Sequence, residues 1–300
     1  MDDTPTVMKF EILPNEIIIN IFQHLNALDL FNAFDGFNFR FQRLIYNIPL
    51  SIHYQHVTKM IFDQFCNRMI SNPAIKNQII SLQLSNVNDT CRQINAFLSL
   101  FSLDKFPYLR SLIFIDAENN EMDRMASMLP SLSNLDYFCC NRWSISDKTI
   151  PTLALSNLRK LVIREFSISS LLNQKLTSIT HMTVSRCYLD KIKKIFSCTP
   201  LLKCFNMGIL CSSGVSSNDA LDSPNFQAVS LTQLSFYTEE LEFNGLKYLL
   251  KQTPNLKTLI FSDMSDEGYL LRPDDWQDLI ISLLPHLYTF KFHFTIFLRK

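Results

Sequence analysis

The sequence predicts an α/β repeat: a short three-helix module, then strand–helix units stacked as a solenoid, with a curved parallel sheet and helices on its convex side. Three observations predict it. A frame of proline, leucine and aromatic positions returns along most of the chain. Stretches with helical apolar spacing lie between the copies. Residues before Pro49 do not follow that frame and carry an apolar helical stripe of their own.

The frame P-x-L-x-x-L-x-aromatic occurs at Pro107–Phe114, Pro130–Tyr137 and Pro254–Phe261, and with Phe290 in place of the second leucine at Pro285–Phe292. Looser copies start at Ile79, Leu158, Ile179, Leu202 and Leu231. Taken by first apolar position, nine units start at Ile79, Leu109, Leu132, Leu158, Ile179, Leu202, Leu231, Leu256 and Leu287, a mean period of 26 residues. In L-x-x-L-x-L the last two apolar residues point inward from a short strand, and the residue between them points out. Helical spacing precedes most strands: Ile94, Phe97, Leu98, Phe101; Met122, Met125, Ala126, Leu129; Leu189, Ile192, Ile195, Phe196; Leu246, Leu249, Leu250; and Trp276, Leu279, Ile280, Leu283. Pro107, Pro130, Pro200, Pro254 and Pro285 follow these stretches, where proline ends a helix and biases its predecessor toward extended geometry. One unit cannot bury its own apolar face; stacking makes a continuous core.

Composition excludes several classes. Apolar residues make up 47% of the chain, yet no run reaches the ~18 residues a spanning helix needs, so no membrane partner is expected. The acidic start, Met1-Asp2-Asp3-Thr4-Pro5, is unlike a signal peptide. Lys plus Arg equals Asp plus Glu at 28 each, leaving no global basic field for nucleic acid. Eight cysteines at irregular spacing, without a CxxC pair, read as reduced thiols, and the expected compartment is the cytoplasm or nucleus. Five scattered glycines cannot build a phosphate loop, and no cofactor is expected. The sequon Asn88-Asp89-Thr90 is what chance gives.

The period and the L-x-x-L-x-L frame resemble leucine-rich repeats, whose units run ~20–29 residues. The strict form of that repeat has Asn or Cys three residues after the last strand position. Here that slot is expected to hold Cys140 and Cys187 in two units, and Val87, Ala117, Phe166, Leu210, Glu239, Met264 and Thr295 elsewhere. The degenerate ladder resembles the repeats of F-box proteins more than the extracellular type.

Before the repeats, Leu13-Pro14-Asn15-Glu16 opens a helix, with Ile17, Ile18, Ile21, Phe22 and Leu25 forming a wide apolar stripe. Second and third helices are expected over Asp29–Phe34 and Asn38–Tyr46. The run Leu13–Leu25 resembles the F-box signature L-P-x-E-[IL]-[IL]-x-x-I-[FL]-x-x-L; Asp29-Leu30 matches its second helix, and Asn38-Phe39-Arg40-Phe41 an N-x-R-F of its third. The tryptophan many F-boxes carry after the third helix is replaced by Tyr46-Asn47-Ile48. The resemblance implies docking on the Skp-type adaptor of a cullin–RING ubiquitin ligase, with the repeats holding a protein substrate. By position, Leu13, Pro14, Ile17, Ile21, Phe22, Leu25 and Leu30 would supply the docking surface. The same residues would otherwise form the core of a small cap on the solenoid.

The expected organisation is thus 1–48 as the F-box-like module, 49–78 as an irregular first repeat, and 79–300 as the solenoid. Ser212–Pro224 reads as a mobile polar loop, and Arg272-Pro273-Asp274-Asp275 as the cap of the Trp276 helix. The chain reaches Lys300 just after an apolar strand, so the array is expected to continue in a longer form.

Candidate chemistry is thin. His53-x-x-His56 lacks a second ligand pair, the cysteines at 198, 204 and 211 are unevenly spaced, and Glu239-Glu240-x-Glu242 reads as a solvated turn. No cysteine–histidine pair is nominated, so the chain is expected not to be an enzyme. Outward strand positions are more informative. Ile113, Ile115 and Phe138, flanked by Asp136, Lys160 and Arg164, are the expected substrate patch, apolar with a basic flank.

Overall fold

The computed structural model describes residues 10–87, 92–142, 157–165, 175–211, 227–238, 241, 243–263 and 273–294. The loop expected over Ser212–Pro224, the Glu239-Glu240-x-Glu242 run, the sequon, and the slots at Phe166, Met264 and Thr295 lie outside the described residues, as does the side chain of Arg164. The chain divides into two compact units, Met1–Leu112 and Ile113–Lys300.

The first unit opens with three helices, α1 (Asn15–Gln23), α2 (Ala27–Phe34) and α3 (Phe39–Ile45). Each start has a local cause. Pro14 sits at the N-cap of α1, the Asn26 side chain accepts from Leu28 N–H at the head of α2, and Asn38 accepts from Phe41 N–H at 2.8 Å on α3. Ile18, Phe22, Ala27, Leu28, Leu30, Phe31, Phe41 and Ile45 are buried. The rings of Phe10, Phe22, Phe34 and Phe41 pack mutually, with centroids 4.9–5.9 Å apart.

Residues that follow form a strand, β1 (Leu50–His53), a helix, α4 (Lys59–Ser71), and a 3-10 turn over Pro73–Gln78. β1 pairs in parallel with β2 (Ile79–Ser85), and α5 (Gln93–Leu100) comes next. The three helices share this unit's core. Phe31 packs edge-on against Phe65 of α4, the Arg68 guanidinium lies 5.0 Å above the Phe31 ring, and Arg68 pairs with Asp35. Gln78 donates to the carbonyls of Ile45 and Ile48, both at 2.9 Å. Asn26 holds the outer edge of β1: its amide donates to His53 C=O at 2.9 Å and accepts from His53 N–H at 3.1 Å. That edge would otherwise present unpaired backbone groups.

β3 (Ser111–Ile115) spans the division between the units, with Leu112 and Phe114 fully buried. The second unit then carries α6 (Asn119–Met128), β4 (Tyr137–Arg142), β5 (Lys160–Glu165), β6 (His181–Tyr188), α7 (Leu189–Cys198), β7 (Cys204–Cys211), β8 (Gln233–Thr238), α8 (Phe243–Lys251), β9 (Thr258–Asp263), α9 (Pro273–Leu283) and β10 (Thr289–Phe294). Strands β4 to β10 pair in parallel, each with its neighbour in sequence. Parallel pairing needs a crossover between strands, and 26-residue units supply one.

Two ladders of aligned inward residues run through this unit. One reads Phe138, Leu161, Met182, Phe205, Leu234, Leu259 and Phe290; the other Cys140, Ile163, Val184, Met207, Phe236, Phe261 and Phe292. Against them pack the apolar faces of the helices, including Met122 and Met125, Ile192 and Ile195, Leu246 and Leu249, and Trp276. Most of these strands are set by a turn in which the leading leucine or isoleucine donates three residues back, as in Leu135 to Leu132 and Leu256 to Thr253. A second device spans neighbouring repeats: Asn157 and Asn255 donate their amides to Ser133 and Val229 C=O, at 2.6 and 2.8 Å.

The ladders correct one frame. The unit assigned to Leu132 starts at Leu135, and Leu132 belongs to the preceding turn, as its carbonyl bond to Leu135 N–H shows. Phe138 therefore points inward, with no exposure, and Cys140 lies on an inner ladder instead of in the slot after the strand. Where that slot is described it is mostly filled by buried apolar groups, Ala117, Cys187 and Leu210. No helix among the described residues is long and apolar enough to cross a membrane.

Candidate functional site

Two surfaces hold the residues singled out by sequence, one in each unit. In the first unit α1 divides its stripe. Ile18 and Phe22 enter the core, while Ile17 and Ile21 stay 47% and 37% exposed. Pro14 is exposed, and Leu13 and Leu25 are half-buried. Phe22 and Leu30, at 1% and 0% exposure, are structural: a helix stripe wider than the buried face leaves only its flank for a partner. Sequence reasoning did not single out Ile12, Phe37 and Phe39 as surface residues, yet they are 70%, 60% and 79% exposed. They lie in turns or at a helix start, where periodicity gives no signal.

Arg40 fixes the turn that leads into this surface. Its guanidinium donates to Asn15 Oδ1 at 2.8 Å, to Glu11 C=O at 2.5 Å and to Leu13 C=O at 2.6 Å. A planar fork with several donors suits three divergent acceptors.

In the second unit Ile113 and Ile115 are half-buried at outward positions of β3. Phe138 does not join them; Tyr137 and Cys139 occupy the outward positions of β4, with Cys139 only 8% exposed. Lys160 is exposed at the start of β5, and Asp136 pairs with Arg159 at 3.6 Å. Lys160, His181 and Cys204 are aligned across β5, β6 and β7. His181 Nδ1 lies 2.9 Å from Thr180 Oγ1. Its pKa is held below the ordinary value by partial desolvation and by the nearby ammonium groups of Lys160 and Lys203, against a smaller opposing pull from Asp136.

The basic residues just before the strands, Arg159, Lys203 and Lys257, were not singled out by sequence. Their signal was a cation recurring one residue ahead of the strand start. As for chemistry, burial pushes the Cys66 and Cys187 thiols up to about 12, leaving them protonated and unreactive at neutral pH. Tyr54, fully buried, has its hydroxyl against the Cys66 sulfur at 3.9 Å. Among the described residues no three His, Cys, Asp or Glu side chains are grouped to hold a metal.

No protein-family model matches the chain, and no curated protein matches it in sequence. Among solved structures, the crystal structure of a TLR13–ssRNA13 complex aligns with 67% of this chain at 14% identity and a TM-score of 0.38. That alignment covers 35% of the TLR13 chain, so this chain spans about a third of its length, and the likeness carries no argument about function. The chain is a parallel-sheet α/β repeat protein, as the in-register pairing of successive strands shows.

Proposed function

We propose that this chain is a non-catalytic substrate receptor of a Skp–cullin–F-box-type ubiquitin ligase, acting in the cytoplasm or nucleus. Its N-terminal helices dock a Skp-type adaptor, and through it a cullin, while the repeats hold a protein substrate. One observation carries the docking reading: Ile17 and Ile21 are exposed beside Pro14 on the L-P-x-E helix, whose Ile18 and Phe22 fill the core. An apolar flank at that signature needs cover. The ligase gain is effective concentration, since a held substrate presents its lysines to a ubiquitin-loaded enzyme. No cofactor, nucleic acid or membrane enters this reading.

A second reading has its own support. The Asn26–His53 and Gln78–Ile45 hydrogen bonds seat the helices on the first repeat, which is what a cap of a protein-binding scaffold requires. A pull-down with purified Skp-type adaptor separates the two. Capture by wild type and loss in Ile17→Asp plus Ile21→Asp, with thermal unfolding unchanged, supports the ligase receptor. Absence of capture by folded wild type leaves the scaffold.

A further inference from the structure

The chain carries no net charge, yet the described charges of the second unit are sorted. Apart from Asp116 and Asp136, its described acidic side chains lie in or cap the helices: Glu118, Glu121 and Asp123 at α6, Asp190 in α7, and Asp274, Asp275 and Asp278 in α9. On the edge where strands begin, the cations dominate. A relay of backbone bonds defines that edge. The carbonyl of Asp136 accepts from the N–H groups of Arg159 and Lys160, that of Arg159 from Thr180 and His181, and that of Thr180 from Lys203 and Cys204. Lys203 C=O then accepts from Thr232 and Gln233, and Thr232 C=O from Lys257 and Thr258.

Arg159, Thr180, Lys203, Thr232 and Lys257 are therefore successive rungs of one row, with a cation on every second rung. Lys160 stands beside the first. Arg159 already meets Asp136, whereas Lys160, Lys203 and Lys257 make no ion pair among the described residues. Lys160, His181 and Cys204 stand opposite one another in register, and Lys203 immediately precedes Cys204, so the strand edge brings both lysines to the two sides of His181. Neighbouring strands lie ~4.8 Å apart, so the cations repeat about every 10 Å. A polyproline II segment has three residues per turn and rises ~3.1 Å per residue, which sets every third side chain on one face at about 9 Å.

We propose that this row binds an acidic protein segment in extended three-fold conformation, with Asp or Glu at every third residue. The proposal deepens the substrate-holding role given to the repeats and rests on that role, not on adaptor docking. Single-stranded nucleic acid suits the row less well. It would want aromatic platforms between the cations, and of the interposed residues Thr180, His181, Cys204, Thr232 and Gln233 only His181 carries a ring.

The test is fluorescence anisotropy with the full chain and two labelled peptides of one composition, four Asp-Pro-Ser repeats and an isomer with its aspartates adjacent. Wild type is expected to bind the spaced peptide more tightly, and added salt to weaken it. Lys160→Gln plus Lys203→Gln plus Lys257→Gln should weaken binding about tenfold, the sum of three exposed pairs of ordinary strength, with the unfolding midpoint unchanged. Equal binding of the two peptides, equal binding by the variant, or no saturable binding by wild type overturns the proposal. So does tighter binding of a single-stranded oligonucleotide of equal length. Peptide binding that persists when wild type captures no adaptor removes the ligase reading alone.

Discussion

The guanidinium of Arg40 donates to the carbonyl of Leu13 at 2.6 Å, tying the third helix to the first residue of the L-P-x-E turn. The same side chain holds Glu11 C=O and Asn15 Oδ1, so the two halves of the N-terminal signature meet in one polar knot. That contact explains why an arginine stands in the Asn38-Phe39-Arg40-Phe41 stretch. It orders the approach to α1 and with it the presentation of Pro14 and Ile17.

Replacing Arg40 by alanine removes charge-assisted hydrogen bonds to three acceptors. The expected loss is about 1–3 kcal/mol, read as a lower urea midpoint. Arg40→Lys should restore little, because one ammonium cannot reach three divergent oxygens. A variant as stable as wild type would show that the turn holds without the knot.

Phe138 fills an inner ladder between its aligned neighbour Leu161 and the helix layer. Phe138→Ala is expected to cost about 3–5 kcal/mol. Lys160→Gln, at an exposed position of the adjacent strand, should stay within about 0.5 kcal/mol. Equilibrium urea unfolding of the pair checks the frame. A mild effect at Phe138 would return it to the surface.

Gly208 marks a register irregularity where β7 meets β8. A Cβ added there would fall 2.3 Å from the carbonyl oxygen of Ser185, a backbone atom that cannot turn aside. Gly208→Ala must therefore push β6 and β7 apart, at a cost of about 1–3 kcal/mol. A thermal melt at or above the wild-type midpoint would contradict this close approach.

His181 predicts a shallow pH dependence. Its folded pKa lies below the ordinary 6.5, chiefly through desolvation and then through Lys160 and Lys203, so the unfolded chain binds the proton better. The contribution of His181 is full above pH 6.5 and declines as pH falls through that value toward the lowered one. Urea midpoints of wild type and His181→Gln, compared from about pH 7.5 to pH 5, should diverge only on the acid side. Parallel curves would assign the slope to other groups.

How much was legible shows best in particular residues. The ladders from Met182 to Phe290 and from Val184 to Phe292 were readable, because each strand needs apolar side chains at fixed spacing, whatever lies beside it. At Leu132, Leu135 and Tyr137 the same reading slipped. A leucine in the preceding turn repeats the three-residue spacing of the strand start, so two frames satisfied one pattern. The split of α1 was not legible either. Ile17 and Ile18 are chemically alike, and only the rings of Phe10, Phe22, Phe34 and Phe41 fix which side of the helix is the core.

By itself the sequence determined the period, most strand and helix positions and an α/β repeat, since these follow from local apolar spacing and from proline. Only the tertiary structure decided which of the two frames Phe138 obeys. It likewise decided which half of the α1 stripe is left exposed, and that Arg159, Lys203 and Lys257 share one row. The reason is physical: residues one or more repeats apart acquire a common edge only when their strands pair in register, and that pairing is a property of the packed chain.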